Sequence, residues 1–165
     1  MDRSGGAGSG AIHPPGDRAA VSAPIVTRPL PAYPARAMPK LVIHGAKLRC
    51  SQGVAPSTLT VLPANGSSAD EQPAATVMDN VPMLNIAPFG MCQTQANPQV
   101  AAATAAAMGV LTPMPCVPVI PAPWSPGAGI VTIQGQKALT DSSTCDCAWT
   151  GSIAITDPGT AVDAE

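Results

Sequence analysis

The residues able to do chemistry in this chain are its cysteines: Cys50, Cys92, Cys116, Cys145 and Cys147. Most stand in short phrases rich in Gly or Pro, such as Gly45–Gly53, Phe89–Cys92 and Pro113–Pro118. Such phrases form turns rather than helix interiors. A body that gathers cysteines from distant turns points to a bound metal or to disulfides. Free cysteines can equally serve as small buried hydrophobes, so inert thiols stand as a third reading. The separations are long and no Cys-x-x-Cys pair occurs, so spacing alone does not single out a zinc site. Cys145 and Cys147 lie two apart, which puts both on one face of an extended segment. His44, close to the Cys50 turn, is a further candidate ligand.

Other chemistry is poorly represented. The carboxylates of the body, Asp70, Glu71, Asp79, Asp141, Asp146 and Asp157, form no recognisable acid/base pair. Asp79-Asn80 reads as a turn stabiliser. No cysteine carries a hydrolase-like local signature, and Gly5–Gly10 reads as a flexible stretch rather than a phosphate cradle. The chain is expected not to be an enzyme.

Of the 165 residues, 20 are Pro and 15 are Gly, which leaves little room for long helices. The aromatics are Tyr33, Phe89, Trp124 and Trp149, so a core must rest on small aliphatics and some other stabiliser. Charged residues make up 11% and the net charge is −2, which excludes a nucleic-acid footprint. With 45% hydrophobic residues, this composition fits either a surface partly covered by a partner or an Ala/Pro-rich bias of the coding genome. No apolar run is long enough to cross a membrane as a helix. The N-terminus lacks the basic and apolar regions of a signal peptide, so synthesis in the cytoplasm is expected. That compartment favours metal thiolates over disulfides.

Residues 1–37 read as a Pro/Gly/Ala-rich flexible extension, 38–158 as the folded body and 159–165 as a short tail. In the body, short strands are expected at Leu41–Ile43, Lys47–Cys50, Ser57–Leu62, Ala75–Asn80, on both sides of Gln134-Gly135, and at Ser152–Thr156. One helix is expected, capped by Asn97 with Pro98 in its first turn and stopping at Gly109. Trp124 reads as a core plug, with a partner anchor as the alternative. The fold class is mainly β, with tight turns and one short helix.

Several phrases in order, Gly45-Ala46…Cys50-Ser51…Gly53, Asp79…Pro82…Asn85-Ile86…Phe89-Gly90-Met91-Cys92, Asn97-Pro98, Pro113–Pro118…Trp124, Ala138-Leu139-Thr140 and Cys147…Gly151-Ser152-Ile153, resemble the PAAR-like domains. These are spike-tip proteins of type VI secretion and related contractile injection systems. The resemblance implies a small conical β structure that caps a trimeric β-helical spike, sharpens it for membrane puncture and is held at its point by a metal. It also implies effector cargo on extensions, transient contact with a target membrane, assembly in the cytoplasm and ejection on sheath contraction. The better-known pattern is rich in histidine; here His44 is the only histidine of the body, so a metal would be held largely by cysteine. Within these phrases the implied ligands are Cys50, Cys92, Cys116 and Cys147, a set able to close a tetrahedral zinc site. Cys145 and His44 are the alternates, and iron is the alternative metal. The competing reading is a small cytoplasmic cysteine-rich metal-binding or redox module.

Overall fold

A computed structural model describes residues 38–63 and 66–164. The extension expected over 1–37 lies outside these residues, as does the centre of the turn expected after Pro63. The fold is mainly β with one short helix. Among the described residues there are ten strands, most only two residues long: β1 (Lys47–Cys50), β2 (Ser57–Thr58), β3 (Ser68–Ala69), β4 (Gln72–Pro73), β5 (Met91–Cys92), β6 (Met114–Pro115), β7 (Thr132–Ile133), β8 (Gln136–Lys137), β9 (Thr144–Cys147) and β10 (Gly151–Asp157). The helix α1 spans Pro98–Ala106. Strand brevity follows from the prolines, which cannot donate to a ladder and so interrupt it.

One antiparallel sheet organises the rest, with order β2-β1-β10-β9. Three two-stranded ribbons surround it: β3–β4, β5–β6 and β7–β8. Single bridges such as Leu41↔Thr140, Ile43↔Ala74, Gly53↔Cys92, Leu59↔Ile86 and Thr76↔Ala138 stitch ribbon to sheet. Along β1 and β9 alternate residues are buried. That period of two sends Leu48, Cys50, Cys145 and Cys147 inward with Ile153 and Ile155 of β10. They meet Val42, Leu59, Ile86, Phe89, Val100, Trp124 and Leu139 in the main core, to which all five cysteines belong. A smaller cluster joins Ala74, Ala128, Ile133, Ala138 and Ala164.

The expected strands before and after Gly45 form, the first as isolated bridges. The expected hairpin forms around Gln134 and Gly135, both at positive φ (49° and 80°). The strand expected over Ala75–Asn80 is reduced to the Thr76 bridge. Asp79 folds the segment back, its carboxylate accepting from the backbone N–H (2.7 Å) and hydroxyl (2.9 Å) of Thr76. Trp124 is a core plug: it is 2% exposed and its Nε1–H donates to the Asp79 carbonyl at 3.0 Å. The final segment is not a free tail. Leu41 donates to the Val162 carbonyl, Ala164 donates to that of Pro39, and Ala164 is buried.

Asn97 caps α1, its side chain accepting from the Gln99 N–H at 3.0 Å, and Pro98 occupies the first turn. At the other end Gly109 donates to the Thr104 carbonyl and Met108 to that of Ala105, the paired bonds of a Schellman ending. The helix therefore closes at Ala106 rather than running to Met108. Met108 takes the left-handed position (φ 53°), where glycine is usual. We expect Met108→Gly to raise stability by about 1 kcal/mol, read as a higher urea midpoint with unchanged slope.

Candidate metal centre

Four segments contribute cysteines to the main core. β1 delivers Cys50, whose carbonyl accepts from Gly53 N–H at 3.2 Å to close the turn that follows. Across the sheet Cys50 pairs with Ile153, and Gly151 pairs with Cys147 on the far strand. Gly151 is the decisive position. A Cβ there would lie 2.8 Å from Cys50 Sγ and 3.6 Å from Cys147 Cβ. The missing side chain opens a gap in β10, so that sulfur from β1 and the thiol-bearing residue of β9 both border it.

The Cys50 turn lies against the Phe89–Cys92 segment. Gly53 bridges to Cys92, and Gln93 N–H donates to the Gln52 carbonyl at 3.0 Å. A Cβ on Gly53 would come within 2.4 Å of Phe89 Cβ and 2.8 Å of its carbonyl oxygen, so only glycine permits this approach. Cys116 is fixed from the other side. Its N–H donates to the Gly90 carbonyl at 2.7 Å and its carbonyl accepts from Phe89 N–H at 3.1 Å, and its thiol neighbours that of Cys92. Two further bonds tie this segment to the β9–β10 turn: Ala148 N–H to the Val119 carbonyl (2.8 Å) and Trp149 Nε1–H to the Val117 carbonyl (3.1 Å).

The structure thus brings Cys50, Cys92, Cys116 and Cys147 together, each buried. Cys145 is buried on the same face of β9 and its electrostatic neighbours are Asp146, Cys147 and Cys50. His44 does not join them. It is exposed in the turn before β1, where its Nδ1 accepts from Val61 N–H at 3.1 Å. Among the described residues, no three His, Cys, Asp or Glu side chains are arranged as a ready-made metal-holding group. The donor set is nonetheless of the kind that suits a structural site: four soft thiols in one apolar core.

The family model for a domain of unknown function, DUF4280, matches residues 42–160. This chain belongs to the DUF4280 family. The match takes in all five cysteines and every strand of the described residues. No curated protein and no solved structure matches the chain.

In this DUF4280 chain burial raises three of the thiols, Cys50, Cys116 and Cys145. Burial first, then the hydrogen bond and charge of Cys92 and the neighbouring Cys50 and Cys147, pushes Cys116 up to about 12. Burial, then the Asp146 carboxylate and two nearby thiols, lifts Cys145 to about 12. Cys50 is also raised, chiefly by burial. Such thiols stay protonated at neutral pH and make poor nucleophiles; a metal would have to displace their protons. A pH effect follows for metal-free protein. From about pH 8.5 the unfolded thiols ionise while the folded ones keep their protons, so stability is full below that pH and falls as pH climbs toward 12. Urea midpoints should decline across this window, less steeply in Cys116→Ala.

Gly151 and Gly53 are positions of close approach that the cysteine spacing did not reveal. The available signal was a glycine at the mouth of a β-branched strand, which marks close backbone or side-chain approach.

Proposed function

We propose that this DUF4280 chain is a non-enzymatic spike-tip protein. It would cap the trimeric β-helical spike of a contractile injection machine, of type VI secretion or a related system, and sharpen it for membrane puncture. One observation carries the reading: the cysteine phrases that resemble the PAAR-like domains, scattered from Gly45 to Ile153, converge on one buried cluster. A scaffold with Phe89 and Trp124 as the aromatics of its main core gains from such cross-linking, because a small core of short side chains supplies limited burial energy.

Cys50, Cys92, Cys116 and Cys147 would hold zinc, with iron as the alternative, and Cys145 would stay outside the set. The bound metal would supply cross-links between distant segments and no catalysis. The burial of all four thiols favours this structural role over a redox module. Assembly would take place in the cytoplasm, with ejection on sheath contraction and cargo attached through residues 1–37. Among the described residues no helix is long and apolar enough to cross a membrane.

The test is assembly. Mixed with the trimeric spike of the same system, the chain is expected to form a complex of one tip per three spike chains by light scattering, and a tip that stays free of the trimer would overturn the reading. Elemental analysis of the same preparation is expected to find about one zinc or iron per chain.

A further inference from the structure

The β9–β10 hairpin closes with Cys147 opposite Gly151, which leaves a three-residue turn, Ala148-Trp149-Thr150. In a three-residue hairpin loop the last residue commonly takes the left-handed conformation, where glycine fits best. Here that residue is Thr150, at φ 60°. For a β-branched side chain this backbone is an outlier, because its Cβ crowds the neighbouring carbonyl. Such strain persists where the surroundings hold the chain in place. Two hydrogen bonds do so here. Ala148 N–H donates to the Val119 carbonyl at 2.8 Å, and Trp149 Nε1–H donates to that of Val117 at 3.1 Å.

These ties are of the weaker kind. The Trp149 bond is open to solvent, and Ala148 and Thr150 are exposed on either side of it. Solvent-exposed hydrogen bonds mark segments that open by themselves, short of global unfolding. The flanking strand is better held. Ser51 N–H donates to the Ser152 carbonyl and Ser152 N–H to Ser51 Oγ, each at 3.0 Å, which pins the start of β10 to the Cys50 turn. The turn also stands beside the thiols. Trp149, two residues beyond Cys147, is half-buried and packs against the core that contains all five cysteines. It lines one groove with Pro115 and Val117, the two neighbours of Cys116. At Gly151 a Cβ would stand 2.8 Å from Cys50 Sγ, so no side chain at that position shields the sulfur.

We propose that the 148–150 turn is a strained latch over the cysteine cluster, whose local opening gives solutes, metal ions among them, access to Cys50, Cys116 and Cys147. Opening breaks two hydrogen bonds and lifts one indole from the core, and it returns the strain held at Thr150. That return makes the open form more populated than a glycine at the same position would allow. Closed, none of the three thiols is more than 5% exposed, so exchange of their protons for a metal needs such a path. Cys145 lies farther in. It pairs with Ile153, two residues from the turn's closing pair, and stays covered when the turn opens. As a path for metal the latch rests on the metal reading above; as control of access to the thiols it does not.

Two substitutions should act in opposite directions. Trp149→Phe keeps a ring but removes the donor to Val117, and should populate the open turn about fivefold more. Thr150→Gly relieves the left-handed backbone, and should populate it about fivefold less. The metal-free full chain is alkylated with iodoacetamide at fixed pH, and each cysteine is followed by mass spectrometry. Cys147 is expected to react at a rate nearly independent of low urea, faster in Trp149→Phe and slower in Thr150→Gly. Cys145 should react only through global unfolding, with a rate that climbs with urea. Buried-indole emission from Trp124, 2% exposed, shows that Trp149→Phe is folded. Zinc-loaded chain mixed with excess chelator should release its metal in the same order. A Cys147 rate with the urea slope of Cys145, or one that the two substitutions fail to move in opposite directions, overturns the proposal. So does bound zinc whose release ignores both substitutions. The expected alkylation pattern in a chain that binds no zinc supports the latch and removes the metal reading instead.

Discussion

Alanine substitution of the cysteines is expected to divide them four against one. Cys50, Cys92, Cys116 and Cys147, each changed to Ala, should each lower stability by about 3 kcal/mol or more and release the metal, because a three-thiol remnant loses most of a binding energy that is also folding energy. Cys145→Ala should cost about 1 kcal/mol, the price of a small cavity in a packed core, and leave the metal in place. If the thiols act only as small core hydrophobes, all five substitutions cost about 1 kcal/mol alike. Urea unfolding paired with metal content separates the two patterns. The contrast between Cys147 and Cys145 is the sharpest, since both are buried on one face of the same strand.

Gly151→Val should be strongly damaging although the position has no side chain to lose. Its first added carbon would lie 2.8 Å from Cys50 Sγ, well inside van der Waals contact. Cys50 is held by β1–β10 pairing and by the turn that Gly53 closes, so its short side chain has little freedom to retreat. Overpacking of this kind costs about 1–3 kcal/mol, and displacement of the sulfur should lower metal content as well. Gly129→Ala is the control, since a Cβ there meets nothing within 4 Å; its unfolding midpoint should stay near that of the parent. A Gly151→Val chain with parental stability and metal content would show that the sulfur can move at little cost, and that the gap in β10 is not needed.

Local patterns in the sequence determined the local elements. Asn97-Pro98 carried the helix start because capping and proline geometry depend on neighbouring residues alone. Alternation carried β1 and β10, and Gln134-Gly135 the β7–β8 hairpin. The same patterns also pointed to a mainly β body. Tertiary structure decided the rest. The β3–β4 and β5–β6 ribbons are two-residue strands, too short to show a period, and they exist because their partners are near. The run Ala75–Asn80 alternated well, yet Asp79 outbid the ladder for the Thr76 N–H.

The site follows the same division. The residue types named the chemistry, thiols able to take a soft metal, but not the meeting of Cys50 with Cys147 across a strand from the far end of the chain. That meeting depends on a gap at Gly151 and on which strands become neighbours in the order β2-β1-β10-β9. Neither is written in any short window, because loop closure over such distances is decided by the packing of the whole core rather than by local preference.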